Sequence, residues 1–197
     1  MENDKIKKMF AGSVVRMIAA LTIVGVMSGA SLVFVYNYAM PRIKNNIKEE
    51  TQKAIKNIFP EAEQIKKEEG YYSVNNSKGD LLGYAFTAEG NGYQGTIKLL
   101  AGISPDLLET IGMEVLESQE TPGLGAEIAT PKFKKQFNGL PIDGNIEYVK
   151  NKKPEKPNEI EAIAGATISS RAVVNILNKK IDKMKTIISS VDEGQGK

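Results

Sequence analysis

Ile163-Ala164-Gly165-Ala166-Thr167-Ile168-Ser169-Ser170-Arg171 gathers three hydroxyls and a guanidinium where an apolar run meets a long helical pattern. Gly165 and Ala166 carry almost no side chain, so a ligand or another surface can come close to the backbone there. Thr167, Ser169 and Ser170 fall where a helix begins. Such a place favours hydroxyl caps, and its free N–H groups attract anions. From these residues alone two readings stand: a strand–turn–helix joint capped by serine, or a seat for an anionic group.

A second bare stretch is Ser118-Gln119-Glu120-Thr121-Pro122-Gly123-Leu124-Gly125-Ala126-Glu127. Pro122-Gly123 is a strong turn signal, and Gly125 keeps the backbone uncovered just beyond it. It reads either as a surface turn or as backbone that must pass close to a bound group. Gly90-Asn91-Gly92-Tyr93-Gln94-Gly95 satisfies G-x-G-x-x-G letter for letter. A dinucleotide fingerprint, however, needs a helix after the glycines to receive the pyrophosphate. The next residues are the strand-like Thr96-Ile97-Lys98-Leu99-Leu100, so a hairpin loop is expected.

Composition narrows the chemistry further. The 197 residues have room for one domain and an appendage, and the net charge of +2 is too small to argue for nucleic acid. There is no Cys, His or Trp. Thiolate and imidazole metal sites, His-dependent triads and Cys nucleophiles are therefore excluded. No catalytic or metal-ligating residue is assigned. A borrowed cofactor is the simpler way to make such a chain redox-active.

The elements that must position these stretches read in order. Residues 1–40 form a polar start followed by a membrane anchor. Met17 to Tyr36 is roughly 20 residues without a charge, enough to cross a bilayer as a helix. Arg16 stands at its edge, and Tyr36 and Tyr38 suit the aromatic belt. A cleaved signal peptide is the rival, but its apolar core is shorter, about 7–15 residues. The run continues past Ser28-Gly29-Ala30 to Val35, which favours an uncleaved anchor. Lys5, Lys7, Lys8 and Arg16 before the span, against Arg42, Lys44 and Lys48 after it, favour a cytoplasmic N-terminus only marginally. Pro41 ends the membrane segment, and a linker helix follows over 41–60. Its Ile43, Ile47, Ala54, Ile55 and Ile58 are at helical spacing and expected to pack on the domain.

The domain itself is placed at 61–188. Tyr71–Val74, Leu81–Ala88, Thr96–Ile103 and Ile111–Glu117 read as strands of an antiparallel meander. A helix over Thr130–Phe137 and a strand over Asn145–Lys150 follow. The Lys/Pro-rich loop Asn151–Asn158 is expected as solvated surface, with docking of a partner subunit as the alternative. The closing helix carries Val173, Leu177, Ile181, Met184 and Ile188 as an apolar stripe, opposite a Lys-rich face. Residues 189–197 read as a flexible tail.

Gly165-Ala166-Thr167 followed by Ile168-Ser169-Ser170 resembles the flavinylation motif of the FMN-binding domain family, Asp-x-x-Ser/Thr-Gly-Ala-Thr. Glu161 stands where Asp is usual, and Ala164 where Ser or Thr is usual. Glu120-Thr121-Pro122-Gly123-Leu124-Gly125 resembles the family's second signature, with Gln119 where His is frequent. A Gly-Tyr-x-Gly run like Gly92–Gly95 also occurs there. The two signatures lie in the family's order behind an N-terminal anchor, so the resemblance covers essentially the whole chain.

The family includes the G subunit of the Rnf complex and the C subunit of the sodium-translocating NADH:quinone oxidoreductase. The resemblance implies an α+β fold, in which one N-terminal transmembrane helix precedes an antiparallel-sheet FMN-binding domain with flanking helices. It implies FMN held through a phosphoester to Thr167, with Gly165, Ala166, Ser169 and Ser170 around the attachment and Glu120–Gly125 against the flavin. It also implies an extracytoplasmic domain, maturation by a separate flavin transferase, and partners among the other membrane subunits of an Rnf-type complex. Such a complex moves electrons between ferredoxin and NAD and couples this to ion translocation. The short length favours the Rnf type over a quinone-reductase subunit or a stand-alone extracytoplasmic flavin carrier. An anchored binding module without cofactor is the alternative of another class.

Overall fold

The computed structural model describes residues 2–195, and their side chains from 14 to 190. Lys5, Lys7, Lys8 and most of the expected tail fall outside the described side chains. The chain divides into two compact units, residues 1–48 and 49–197. Helix α1 spans Glu2–Ile58 with Pro41 inside it. Proline removes one i→i−4 hydrogen bond, yet here the helix does not stop. The membrane segment and the linker expected after it are one element.

Within the first unit, Leu21, Val24, Leu32 and Phe34 all stand exposed on this helix. It is the one described helix long and apolar enough to cross a membrane. Two hydroxyls in the apolar run are satisfied one turn back. The Thr22 hydroxyl donates to the Ile18 carbonyl (2.9 Å) and the Ser31 hydroxyl to that of Met27 (2.8 Å). Just past the apolar run, Arg42 donates to the Tyr38 hydroxyl (2.7 Å) and lies 4.5 Å from the centre of that ring.

In the second unit five strands form an antiparallel sheet in sequence order. They are β1 (Gln64–Lys67), β2 (Tyr72–Asn75), β3 (Leu81–Asn91), β4 (Thr96–Ile103) and β5 (Thr110–Ser118). The expected meander is present. The addition is β1, too short and too polar to show a period-two pattern. Alternation along the strands builds two cores. Phe86 and Ala88 on β3, with Ile97, Leu99, Ala101 and Ile103 on β4, face the larger. Ala85 and Leu100 face the smaller, with Ala54, Ile55, Ile58 and Phe59. Of the expected stripe on 41–60, the later part packs on the domain, whereas Ile43 and Ile47 are exposed.

The larger core is closed by α3 (Thr167–Gln195). Its predicted stripe of Val173, Leu177, Ile181, Met184 and Ile188 is buried throughout. Each such side chain contributes about 1.5–3 kcal/mol by leaving water. The helix expected over Thr130–Phe137 is shorter. A 3₁₀ turn at Gly125–Ala129 leads into α2 (Pro131–Lys134), and a second 3₁₀ turn spans Lys135–Phe137. Phe133 and Phe137 meet edge to face at 5.5 Å in the core.

Strand β6 (Glu147–Val149) lies inside the predicted 145–150 run. Its partner is the parallel β7 (Glu159–Glu161), in a separate two-stranded sheet. Three residues carry no periodicity, so β7 left no signal. The Asn178 amide bonds the Ile146 N–H and carbonyl, both at 2.9 Å, and fixes this segment to α3.

Candidate functional site

The start of α3 is a tight turn made possible by Gly165, whose φ is +80°. The Ala166 N–H donates to the Ile163 carbonyl at 3.0 Å. Ser170, fully buried, holds the same turn. Its hydroxyl accepts from the Ile163 N–H (3.0 Å) and donates to the Ala166 carbonyl (3.1 Å). Helix α3 therefore begins at Thr167 with Ala166, which has no capping side chain, before it. Thr167 is half-buried, and among the described residues its hydroxyl makes no hydrogen bond.

Ser169 has a different partner. Its buried hydroxyl donates to the Glu120 carboxylate, 49 positions earlier in the chain. The other oxygen of Glu120 accepts from the Gln94 N–H at 2.9 Å. One buried carboxylate thus joins the β3–β4 loop, the 118–125 stretch and the first turn of α3. Burial pushes the Glu120 carboxyl up; the Ser169 hydroxyl and the amides of Gln94, Gly95 and Tyr93 outweigh it. The group is held below its usual range.

Packing on this carboxylate accounts for a glycine. A Cβ at Gly125 would run into Glu120 Oε2 and lie 2.7 Å from Ser169 Oγ. The chain's own groups therefore suffice to require Gly125, which sequence reading assigned to close passage of a flavin. Gly123 is in open space, and its φ of +75° is what demands glycine.

The rest of the loop is tied back on itself. The Thr121 hydroxyl donates to the Gln94 side chain, and its carbonyl accepts from Leu124 (3.2 Å) and Ala126 (3.1 Å). Pro122 and Gly123 are exposed. Leu124, half exposed, reaches 3.4 Å from the Cβ position of Gly165. The two predicted stretches are thus brought together at two points, Glu120 on Ser169 and Leu124 on Gly165. Ile168 and Tyr93 add exposed apolar surface on the adjacent turn and hairpin. Glu161 and Ala164 lie outside this junction. Glu161 is exposed on β7, where its N–H donates to the Gln136 amide (2.7 Å), and Ala164 is exposed in the turn.

The Gly90–Gly95 run is a hairpin loop, closed by the Gly92 N–H on the Gly95 carbonyl at 2.7 Å. Sequence reading gave it only a structural role and missed Gln94, whose amide and side chain hold Glu120 and Thr121. Among the described residues no cluster of side chains is arranged to hold a metal ion.

Comparison with known proteins bears on the same residues. The FMN-binding domain family matches residues 92–182, which include both stretches of the junction. The G subunit of the ion-translocating oxidoreductase complex of Methanosarcina acetivorans is 34% identical over 181 residues, 86% of this chain and 93% of its own. The G subunit of the proton-translocating ferredoxin:NAD(+) oxidoreductase complex of Clostridium ljungdahlii is 30% identical over 170 residues, 84% and 89% of the two chains. The crystal structure of Shewanella oneidensis NqrC aligns with a TM-score of 0.53 at 24% identity, covering 55% of this chain and 52% of its own. That likeness is one of fold.

Proposed function

The chain belongs to the family of G subunits of ion-translocating oxidoreductase complexes, and from that membership we propose a membrane-anchored electron-transfer subunit carrying FMN on Thr167. One observation supports the position above others. Of three hydroxyls at the start of α3, those of Ser169 and Ser170 are buried and committed to Glu120 and to the 163–166 turn, whereas that of Thr167 is uncommitted.

The surroundings fit a phosphoester-linked flavin. With Ala166 at the helix start, the first-turn amides have no side-chain acceptor among the described residues and suit a phosphate. Arg171, exposed one turn on, offsets its charge. Leu124 and Ile168, each about half exposed, offer apolar surface to a ring while leaving one side open. Bound FMN supplies the one- and two-electron chemistry for which this Cys-free chain has no side chain of its own.

A threonine hydroxyl needs activation to act as a nucleophile. Among the described residues no base accepts its proton, so bond formation falls to a separate flavin transferase. The apolar helix anchors the chain, and the domain after Pro41 lies outside the cytoplasm, beside the other subunits of an Rnf-type complex. Peptide mapping of the native chain tests the central claim. FMN mass is expected on the peptide containing Thr167; its assignment to Ser169 or Ser170, or a native chain without flavin, overturns it. Because the chain has no Cys, one introduced in the 151–158 loop tests orientation. It should react with an impermeant reagent in intact cells, and labelling only after lysis would reverse the topology.

A further inference from the structure

Beside Thr167 a groove of about 760 Å³ runs between α3 and the β3–β4 hairpin. Lys98 on β4 and Arg171, Lys179, Lys180 and Lys183 on α3 line it, with Glu89 the single carboxylate among its described lining residues. None of the five cations forms an ion pair among the described residues. The other basic stretch of the domain differs: Lys156 lies 2.7 Å from Glu147, and Lys152 lies 3.5 Å from Glu155.

Its floor is apolar, formed by Ala88, Ala172 and Ile176. A Cβ at Gly90 would stand 2.7 Å from Ile176, so the glycine is what lets the helix come so close to the hairpin. Lys180 is half-buried in this wall. Burial pushes its ammonium down, and Lys183 beside it pushes further the same way. An anion seated in the groove opposes this push by favouring the charged ammonium.

We propose that this groove docks an acidic segment of a neighbouring subunit of the complex, seated against the Thr167 end of α3. The occupant follows from shape and charge together. From Ile168 to Lys183 the lining extends about 22 Å along the helix at 1.5 Å per residue. A free phosphate fills little of that length and leaves the apolar floor wet. A flat anionic bilayer reaches the exposed Arg171, Lys179 and Lys183 but not the floor. An extended peptide with Asp or Glu set between apolar residues meets both. Charged walls around an apolar centre have the anatomy of a specific interface, and the charges steer encounter. The purpose of the contact, delivery of a partner to the flavin, rests on the reading of Thr167; the docking itself does not.

The test uses the full chain in the native complex, with a photo-crosslinking residue (p-benzoylphenylalanine) replacing Asn175, an uncharged position in the groove wall. Illumination should join it to a peptide of another subunit that mass spectrometry identifies as rich in Asp and Glu. Combining Lys179→Glu, Lys180→Glu and Lys183→Glu should cut the yield about tenfold or more, because like charges then face each other. The corresponding Gln substitutions should give an intermediate loss. If the reversed chain does not assemble, the salt dependence of the parent yield decides, since screening should lower it several-fold. Crosslinks to lipid alone, to a second copy of this chain or to a neutral or basic segment overturn the proposal. So does a yield indifferent to charge and salt, or no crosslink in the assembled complex. In-gel flavin fluorescence should persist in every Lys variant; its absence from the parent chain would count against Thr167 and leave the groove result standing.

Discussion

Glu120 and Thr167 stand on opposite sides of one junction and differ in almost every physical respect. Glu120 is buried, accepts from a hydroxyl and from backbone amides, and is held ionised by them. Thr167 is half-buried and its hydroxyl is uncommitted. A fully satisfied polar group inside a protein fixes geometry, and removing one partner leaves the others stranded. An uncommitted one at the surface costs little to keep and is free to react. Around this site the hydrogen-bond inventory therefore separates the residues that hold the junction from the one hydroxyl left uncommitted.

Thr167→Ala presses that separation hardest. All covalent flavin should be lost, read as in-gel fluorescence and as FMN mass on the denatured chain. Stability should move by no more than about 0.5 kcal/mol, as for surface changes away from packing or polar networks. A variant that keeps FMN mass, or that unfolds, erases the contrast.

Glu120→Ala should do the reverse: the attachment chemistry is untouched and the scaffold weakens. It strands the Ser169 hydroxyl and the Gln94 N–H, at about 1–3 kcal/mol for each buried group left unsatisfied. A urea midpoint lowered by the equivalent of about 3 kcal/mol is expected. The pH dependence has a definite sign. The folded Glu120 carboxyl sits below its ordinary value of 4.5, so its contribution is present above that pH and fades as pH falls through the lower folded value. Glu120→Gln should flatten this acid limb, and an unchanged limb assigns the acid loss to other carboxylates.

Gly125→Val sharpens the contrast from the packing side. Its Cβ must displace both the Glu120 carboxylate and the Ser169 hydroxyl, a strain of about 1–3 kcal/mol. The damage should appear as lowered thermal stability before flavin content falls. Normal stability with an altered flavin spectrum would instead return Gly125 to the role of a bare surface for the ring.

Much of this was legible in the sequence where the signal is local. The main strands, the α3 stripe, the hairpin at Gly90–Gly95 and the apolar anchor follow from periodicity and turn residues. The 163–171 stretch and the 118–125 loop were readable as motifs. The clasp between them was not, because Glu120 finds its partners 26 and 49 positions away, and only the fold brings them together. The lysines show the same limit. Composition counts them all alike, whereas the fold pairs Lys156 with Glu147 and gives Lys179, Lys180 and Lys183 no ion pair among the described residues. Short elements also stayed silent. Strands β1 and β7 are four and three residues long, below the length at which alternation can be told from chance.

Ser170→Ala is the smallest change with a decided outcome, and it separates Ser170 from the conventional cap that its position suggests. A capping serine at a helix start usually bonds the N–H of a residue two or three positions later. Ser170 instead reaches back to the Ile163 N–H, so its loss should loosen the 163–166 turn while the helix beyond keeps its hydrogen bonds. The cost expected is about 1–2 kcal/mol for one buried donor left without an acceptor. Hydrogen exchange should quicken at Ile163 and Ala166 but remain slow at Leu177 and Ile181 in the stripe. Flavin should stay attached, because the Thr167 hydroxyl does not depend on Ser170. Faster exchange throughout α3 would show Ser170 acting as a helix cap after all, and loss of flavin would place it within the attachment chemistry beside Thr167.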